Sequence, residues 1–325
     1  MHTDPLADIL RALRLMGGVF LEAELAAPWC VVSQVEPGDC AGFNPVPRHF
    51  IAYHYVCAGE MLLQVEGEAP VRVAAGDIVM LPRNDAHRLG SDTRLKPLPA
   101  AELVQPPGEG APLARLAHGE GTPAAHFFCG FLAHDHPDDP LLVALPRVLR
   151  LGVANTTTGQ WIESSLRFAA LGMSAGEDVS PARLGRLAEL LFVEAVRQYL
   201  RDPDAPGQGW LAGLRDPMVG QALALMHGQR ERAWTTETLA REVGLSRSAF
   251  AERFTGLVGE PPMRYLSQWR LRQAARRLVE TSDPIARIAS DAGYESEPAF
   301  HRAFKRAHQT TPAGWRKQHA PASPA

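Results

Sequence analysis

The 325-residue sequence predicts an α+β, multidomain protein. A β-rich amino-terminal half would form a barrel or sandwich, followed by a helical stretch and an all-α carboxyl-terminal domain of two helix-turn-helix units. Three observations predict this. Short segments with period-2 alternation, punctuated by Gly, Pro, Asn and Asp, run as far as Leu132. Helical periodicity takes over from Leu141. Near the end, Ala249-Phe250, Phe254, Pro262 and Tyr265 return fifty residues later as Ala299-Phe300, Phe304, Pro312 and Trp315, so one supersecondary unit is used twice. The expected domains are 1–140, 141–212 and 213–325, each side of the chain being long enough for its own core.

In chain order, Asp4-Pro5 opens a short amphipathic helix through Leu6, Ile9, Leu10, Leu13 and Leu15, stopped by Gly17-Gly18. Strands follow at Val19–Leu21, Trp29–Val32, Phe50–Val56, Met61–Val65, Val71–Val73 and Ile78–Leu81. Pro97 to Pro123, rich in Pro, Gly and Ala, has the composition of a mobile loop or insertion. Ala125–Leu132 is a further buried strand, and His134-Asp135-His136 beyond it is a solvated loop or a chelator. Trp161–Leu171 and Arg183–Leu200 are helices. The second carries a wide apolar stripe through Leu184, Leu187, Ala188, Leu191, Ala195 and Tyr199, broadened by Phe192 and Val196. A stripe that wide faces more than one neighbour, here the β-domain and a second copy of the chain. Asp202–Gly207 is a linker, and Asp216-Pro217 starts the last domain.

Each repeated unit is helix, tight turn, helix. In the first, Thr236 caps a helix with Leu239, Ala240 and Val243 on one face, Gly244 turns the chain, and Ser246 caps the second helix. Phe250, Phe254 and Leu257 point inward. In the second, Pro284 starts a helix bearing Ile285, Ile288, Ala289 and Ala292. Gly293 turns it, Ser296 caps the next, and Phe300, Phe304 and Ala307 face the core. A basic helix from Pro262 to Glu280 joins them. Such units place their second helix in a DNA major groove. Outward positions on the first recognition helix are Arg247, Ser248, Ala251, Glu252 and Thr255, and on the second Glu297, Pro298, His301, Arg302 and Lys305. Arg247 suits a phosphate or guanine, Ala251 a thymine methyl, and Glu252 a cytosine amine.

Leu239-Ala240…Gly244-Leu245-Ser246, Trp269-Arg270…Ala274, Ile288-Ala289…Gly293-Tyr294, Phe300…Phe304-Lys305 and Thr311-Pro312 together resemble the AraC/XylS family of bacterial transcription regulators. The resemblance covers about the last hundred residues and implies promoter DNA as partner, a homodimer, and activation through RNA polymerase.

Gly76-Asp77 through Pro82-Arg83-Asn84-Asp85-Ala86-His87 resembles the second cupin motif, with Asn84 where a Gly is usual, a substitution that keeps φ > 0 accessible. The first motif is degraded: His54, Glu60 and Gly67 are present, one histidine of a His-x-His pair is missing, and the His-to-Glu spacing is one residue too long. The resemblance implies a cupin-like sensor domain. His54, Glu60 and His87 are candidate ligands for a divalent metal, or His87 caps a turn and Glu60 is an edge charge. His54, His87, Tyr53 and Arg48 are candidates for binding an organic effector. Cys129 and Cys57 lie in apolar strands, where buried thiols are ordinarily inert. Related regulators of this type that sense reactive chlorine imply an oxidant effector acting on such cysteines.

From Met218 onward there are 16 Lys and Arg against 10 Asp and Glu, a balance of +6, while the preceding part has 17 against 26, or −9. The basic end suits phosphate contacts. No apolar stretch reaches the length needed to cross a bilayer. The amino terminus is not a secretory signal, and four scattered cysteines imply a cytoplasmic protein with reduced thiols. The rival reading is a metal-dependent cupin enzyme, a dioxygenase or isomerase, with a helical appendage. It needs the histidine that the first motif lacks.

Overall fold

The computed structural model describes residues 15–36, 38, 47–106, 113–134, 140–152, 160–161, 164–165, 168, 181–202, 209–229 and 232–319. The amino-terminal helix, Cys40, most of Trp161–Leu171, residues 135–139 and most of the 202–207 linker lie outside these. The chain divides into two compact units, the first ending at Ala205 and the second running from Pro206 to the end.

The first unit is a curled sheet built on one long strand. Its elements are β1 (Met16–Leu25), β2 (Cys30–Ser33), β3 (His49–Val65), β4 (Val71–Ala74), β5 (Asp77–Leu81), β6 (His87–Gly90), β7 (Leu98–Pro99), α1 (Ala100–Leu103), β8 (Val104–Gln105), β9 (Ala114–His118), β10 (Ala125–His134), α2 (Pro140–Ala144), β11 (Leu149–Gly152) and α3 (Pro181–Arg201). The main strand order is β7-β2-β6-β3-β10-β1-β9-β8, with β4 and β5 also on β3 and β11 on β5. The two strands expected at Phe50–Val56 and Met61–Val65 are one. The first half of β3 pairs with β10 and β5, and the second half with β4 and β6. Between them Gly59 has φ +73, and a Cβ there would lie 1.9 Å from the Ala124 carbonyl oxygen, so only glycine lets β3 bend across that backbone.

The alternation of β3 sorts its side chains. Phe50, Ala52 and Val56 join the interior with Phe127, Cys129 and Phe131 of β10 and Val79 and Leu81 of β5. Ile51, Tyr53 and Tyr55 are buried on the opposite face. Helix α3 packs on β1, β10 and β11, with Ala188, Leu191, Phe192, Ala195 and Val196 fully buried. That accounts for most of its stripe within this unit, while Leu190 stays 44% exposed. The segment expected as a loop from 97 to 123 instead contains β7, α1, β8 and β9, with β9 parallel to β1. β11 likewise interrupts the stretch expected to be helical from Leu141.

The second unit is all helical: α4 (Trp210–Arg215), α5 (Pro217–Gly228), α6 (Thr236–Glu242), α7 (Arg247–Val258), α8 (Pro262–Glu280), α9 (Ile285–Asp291), α10 (Glu297–His308) and α11 (Pro312–His319). Asp216 caps α5, accepting from the Met218 and Val219 amides. Helix α6 is capped by Thr235, not Thr236, in a reciprocal capping box with Thr238. Gly244 and Gly293 turn both units at φ +72 and +77.

Candidate functional site

Both recognition helices stand on the same aromatic pedestal. Ser246 caps α7 by accepting from the Ala249 amide at 3.3 Å, and Ser296 caps α10 from Ala299 at 3.4 Å. Phe250 and Phe254 are fully buried with ring centroids 5.6 Å apart, as are Phe300 and Phe304 at 5.4 Å. Phe254 then meets Tyr265, and Phe304 meets Trp315. Rows of this kind fix which helix face is left for solvent. Ala307, expected inside, is exposed, and Ala303 packs on the core in its place.

On α7, Arg247, Ser248 and Glu252 are exposed and Ala251 half-buried. The half-buried Thr255 donates its hydroxyl to the Ala251 carbonyl at 2.7 Å, so that hydrogen is used within the helix. On α10, Glu297, Pro298, Arg302 and Lys305 are exposed. The half-buried His301 sits 3.4 Å from Glu297. Arg306, one helical turn past Arg302, is exposed beside it. The i, i+4 spacing already present in the sequence marks it as part of the same face. Among the described residues, the side chains of Arg247, Arg302, Lys305 and Arg306 have no polar partner within the protein.

Other arginines of this unit are structural. Arg253 places its Nε 2.8 Å from the Asp216 carboxylate. Burial works against the Asp216 carboxylate, but Arg253 and the helix amides of Val219 and Met218 more than offset it and hold its pKa low. Arg277 is shared between Asp283, at 2.7 Å, and Asp291, and both raise its pKa. Arg316 donates to the Leu278 and Asp283 carbonyls. Arg270 donates to the Arg232 carbonyl at 2.7 Å and lies over Gly293. The basic balance of the domain therefore overstates the charge free to meet an anion.

In the curled sheet, three of the expected residues come together. His87 Nδ1 is 2.9 Å from the Asp85 carbonyl, which can only accept, so Nδ1 carries the hydrogen and Nε2 is bare. His54 Nε2 lies 2.8 Å from His87 Nε2 and must donate to it. His54 Nδ1 is then an acceptor, and the Cys129 thiol donates to it from 3.1 Å. All three side chains are buried. Burial, with His87 beside it, pushes the His54 pKa well down. Burial pushes His87 down to about 4, partly opposed by Asp85. Burial alone drives the Cys129 thiol up. Both imidazoles are thus neutral at pH 7, as the thread of donors and acceptors requires.

The loop that sets His87 is tied down. Asn84 has φ +53 and exchanges two hydrogen bonds with the Val35 backbone, at 3.1 and 2.8 Å. Arg83 donates to the Val143 and Leu145 carbonyls. Arg147 bridges Asp85, at 2.9 Å, and the Glu66 carbonyl.

Four expected residues fall elsewhere. Glu60 is exposed and pairs with Arg72 at 2.9 Å, because the turn at Gly59 carries it outside the interior. Tyr53 adjoins His54 in a strand and so faces the opposite side. Arg48 is exposed at the entry to β3. Cys57 lies at the bulge where the β3–β10 register shifts, three residues along β3 from the His54–Cys129 pair. That is about 10 Å, too far for a disulfide with Cys129. The cupin metal set does not fit. Cys129 and His87 meet His54 at opposite ring nitrogens, and among the described residues no group of three His, Cys, Asp or Glu is placed to hold an ion.

Residues 4–201 match the family model described as cupin, and residues 239–318 match the one described as helix-turn-helix domain. A protein named as an AraC-like transcription regulator in Streptomyces antibioticus is 32% identical over 320 residues, 98% of this chain and 100% of its own length. The HTH-type transcriptional regulator AlkR of Acinetobacter baylyi is 32% identical, covering 85% of this chain and 90% of its own. The HTH-type transcriptional regulator MtrA of Neisseria gonorrhoeae is 27% identical, with 97% and 98% covered.

Proposed function

The chain belongs to the family of AraC-like transcription regulators, and on that premise we propose that it is a signal-responsive regulator. Its curled sheet senses a small molecule or oxidant, and α7 and α10 carry the response to promoter DNA. The observation that carries the DNA contact is the pair of capped recognition helices in fifty-residue register, with Arg247, Arg302, Lys305 and Arg306 uncommitted among the described residues. Helices set one DNA turn apart address successive major grooves on one face of the duplex.

The signal acts at the Cys129–His54–His87 thread. A ligand inserted there, or an oxygen-donating two-electron oxidant that is reduced as it converts the Cys129 thiol to a sulfenic acid, displaces the thiol donor from His54 Nδ1. The change passes through the Asp85 carbonyl to the loop held by Arg83 and Arg147. The exposed Leu190 edge of α3 pairs with a second copy of the chain, and promoter-bound dimers contact RNA polymerase.

The test is binding to DNA upstream of its own gene and its neighbours, measured against salt concentration, for the wild type and Arg302→Ala. Saturable, site-specific binding is expected, and Arg302→Ala weakens it about tenfold or more. If Arg302 contacts a phosphate, the slope of log affinity on log salt falls by about 0.9. Binding unaffected by the substitution at every salt concentration would remove Arg302 from the interface.

A further inference from the structure

We propose that Glu252 is a specificity-determining residue, selecting the amino group of one cytosine in the major groove. The proposal rests on the DNA-binding reading above and names what the first recognition helix discriminates.

Glu252 is exposed at the middle of the α7 face opposite Phe250 and Phe254. Among the described residues, no cation or polar group claims its carboxylate. Its neighbours three and four residues away along the helix, Ser248, Ala249, Thr255 and Gly256, offer no positive charge. Arg253, next in sequence, is held by Asp216. By contrast, Glu297 at the start of α10 has His301 beside it. A bare carboxylate brought against a polyanion weakens binding, unless it accepts a hydrogen bond that the nucleic acid supplies.

The major-groove edges decide which base can supply it. Guanine presents two acceptors, thymine an acceptor and a methyl, and adenine a donor flanked by an acceptor. A carboxylate has only acceptors. Cytosine alone offers an amino donor with no acceptor on the same base's major-groove edge.

A second observation concerns the ridge on which Glu252 stands. Ser248 lies one turn before it and Gly256 one turn after. A Cβ at Gly256 would meet nothing within 4 Å, and its φ is not in the left-handed range. Neither packing nor backbone conformation calls for glycine there, although glycine weakens a helix interior. What its absent side chain provides is close approach of α7 on either side of the carboxylate.

The experiment is selection from randomised duplexes by the full chain, comparing the wild type with E252A and E252Q, followed by affinity measurement on all four base pairs at each selected position. The wild type is expected to prefer cytosine at one position by about tenfold to a hundredfold. E252A loses that preference while still binding, with affinity for the other three bases unchanged or higher. E252Q moves it toward adenine, because an amide can donate and accept together. If both variants keep the wild-type preference at every position, the assignment of Glu252 is overturned while the DNA-binding reading stands. If the wild type selects no sequence, both fall.

Discussion

The two helix-turn-helix units repeat the same interior and diverge on the surface that matters. Phe250 and Phe254 correspond to Phe300 and Phe304 and Ser246 to Ser296, each fifty residues apart, while the turn glycines Gly244 and Gly293 correspond at a spacing one residue shorter. Outside, Glu252 corresponds to Arg302, Thr255 to Lys305 and Gly256 to Arg306. Beyond Arg247 in its first turn, the outer ridge of α7 carries one negative charge and small side chains, whereas that of α10, beyond Glu297, carries three cations uncommitted among the described residues. Folding holds the inward positions alike because packing tolerates little change. The outward ones are left to differ, and under the proposed DNA contacts they would place the phosphate grip chiefly on α10 and the discrimination on α7.

The largest expected effect tests what the copies share. Phe254→Ala and Phe304→Ala each empty a fully buried aromatic site and should each cost about 3–5 kcal/mol. Urea unfolding followed by local hydrogen exchange would show it. If one substitution costs far less than the other, the two cores are not equivalent. A smaller effect separates the turns. Gly244→Ala and Gly293→Ala both force a side chain into left-handed backbone, at about 1–2 kcal/mol. A Cβ at Gly244 meets open space, whereas at Gly293 it would come 2.6 Å from Arg270 Nη1. Displacing Arg270 breaks its bond to the Arg232 carbonyl, so Gly293→Ala should cost about 1 kcal/mol more. Equal losses from the two would mean that Arg270 moves aside freely.

The helical unit was largely legible because its signals are local: a cap, a turn glycine and an aromatic pair within each short unit. α8 runs over the residues expected for it, Pro262–Glu280. The curled sheet was legible only in part. Asn84 was expected to take positive φ and does so. The meeting of Cys129 with His54, 75 residues apart, depends on the β3–β10 register, which no local pattern encodes. β9 leaves no local signal, because its parallel partner β1 lies far away in sequence and the stretch around it is rich in Gly and Pro. Tyr53 is different. Strand alternation excludes it from the side that holds His54, and that was available from the residues alone. Glu60 stands one residue beyond the motif spacing, and the bend at Gly59 interrupts the strand phase just before it.

The smallest effect returns to the two copies and concerns protons. At the end of α10, His308 corresponds to Val258 at the end of α7. His308 packs on Phe304 at 4.4 Å and Trp315 at 4.8 Å. Burial lowers its pKa first, with Arg272 and His319 adding to this and a hydrogen bond to the Leu271 backbone opposing it. A histidine held below its ordinary 6.5 binds a proton less readily in the folded chain than in the unfolded one. The stability it sustains is therefore complete above that value and declines as pH falls below it, toward the folded pKa. Val258 cannot titrate, so acid should loosen the second unit before the first. Hydrogen exchange should then rise in α10 and α11 between neutral and mildly acidic pH with less change in α7, and His308→Val should flatten that difference. Equal acid sensitivity in both units, or a difference that survives His308→Val, would mean that another group sets it.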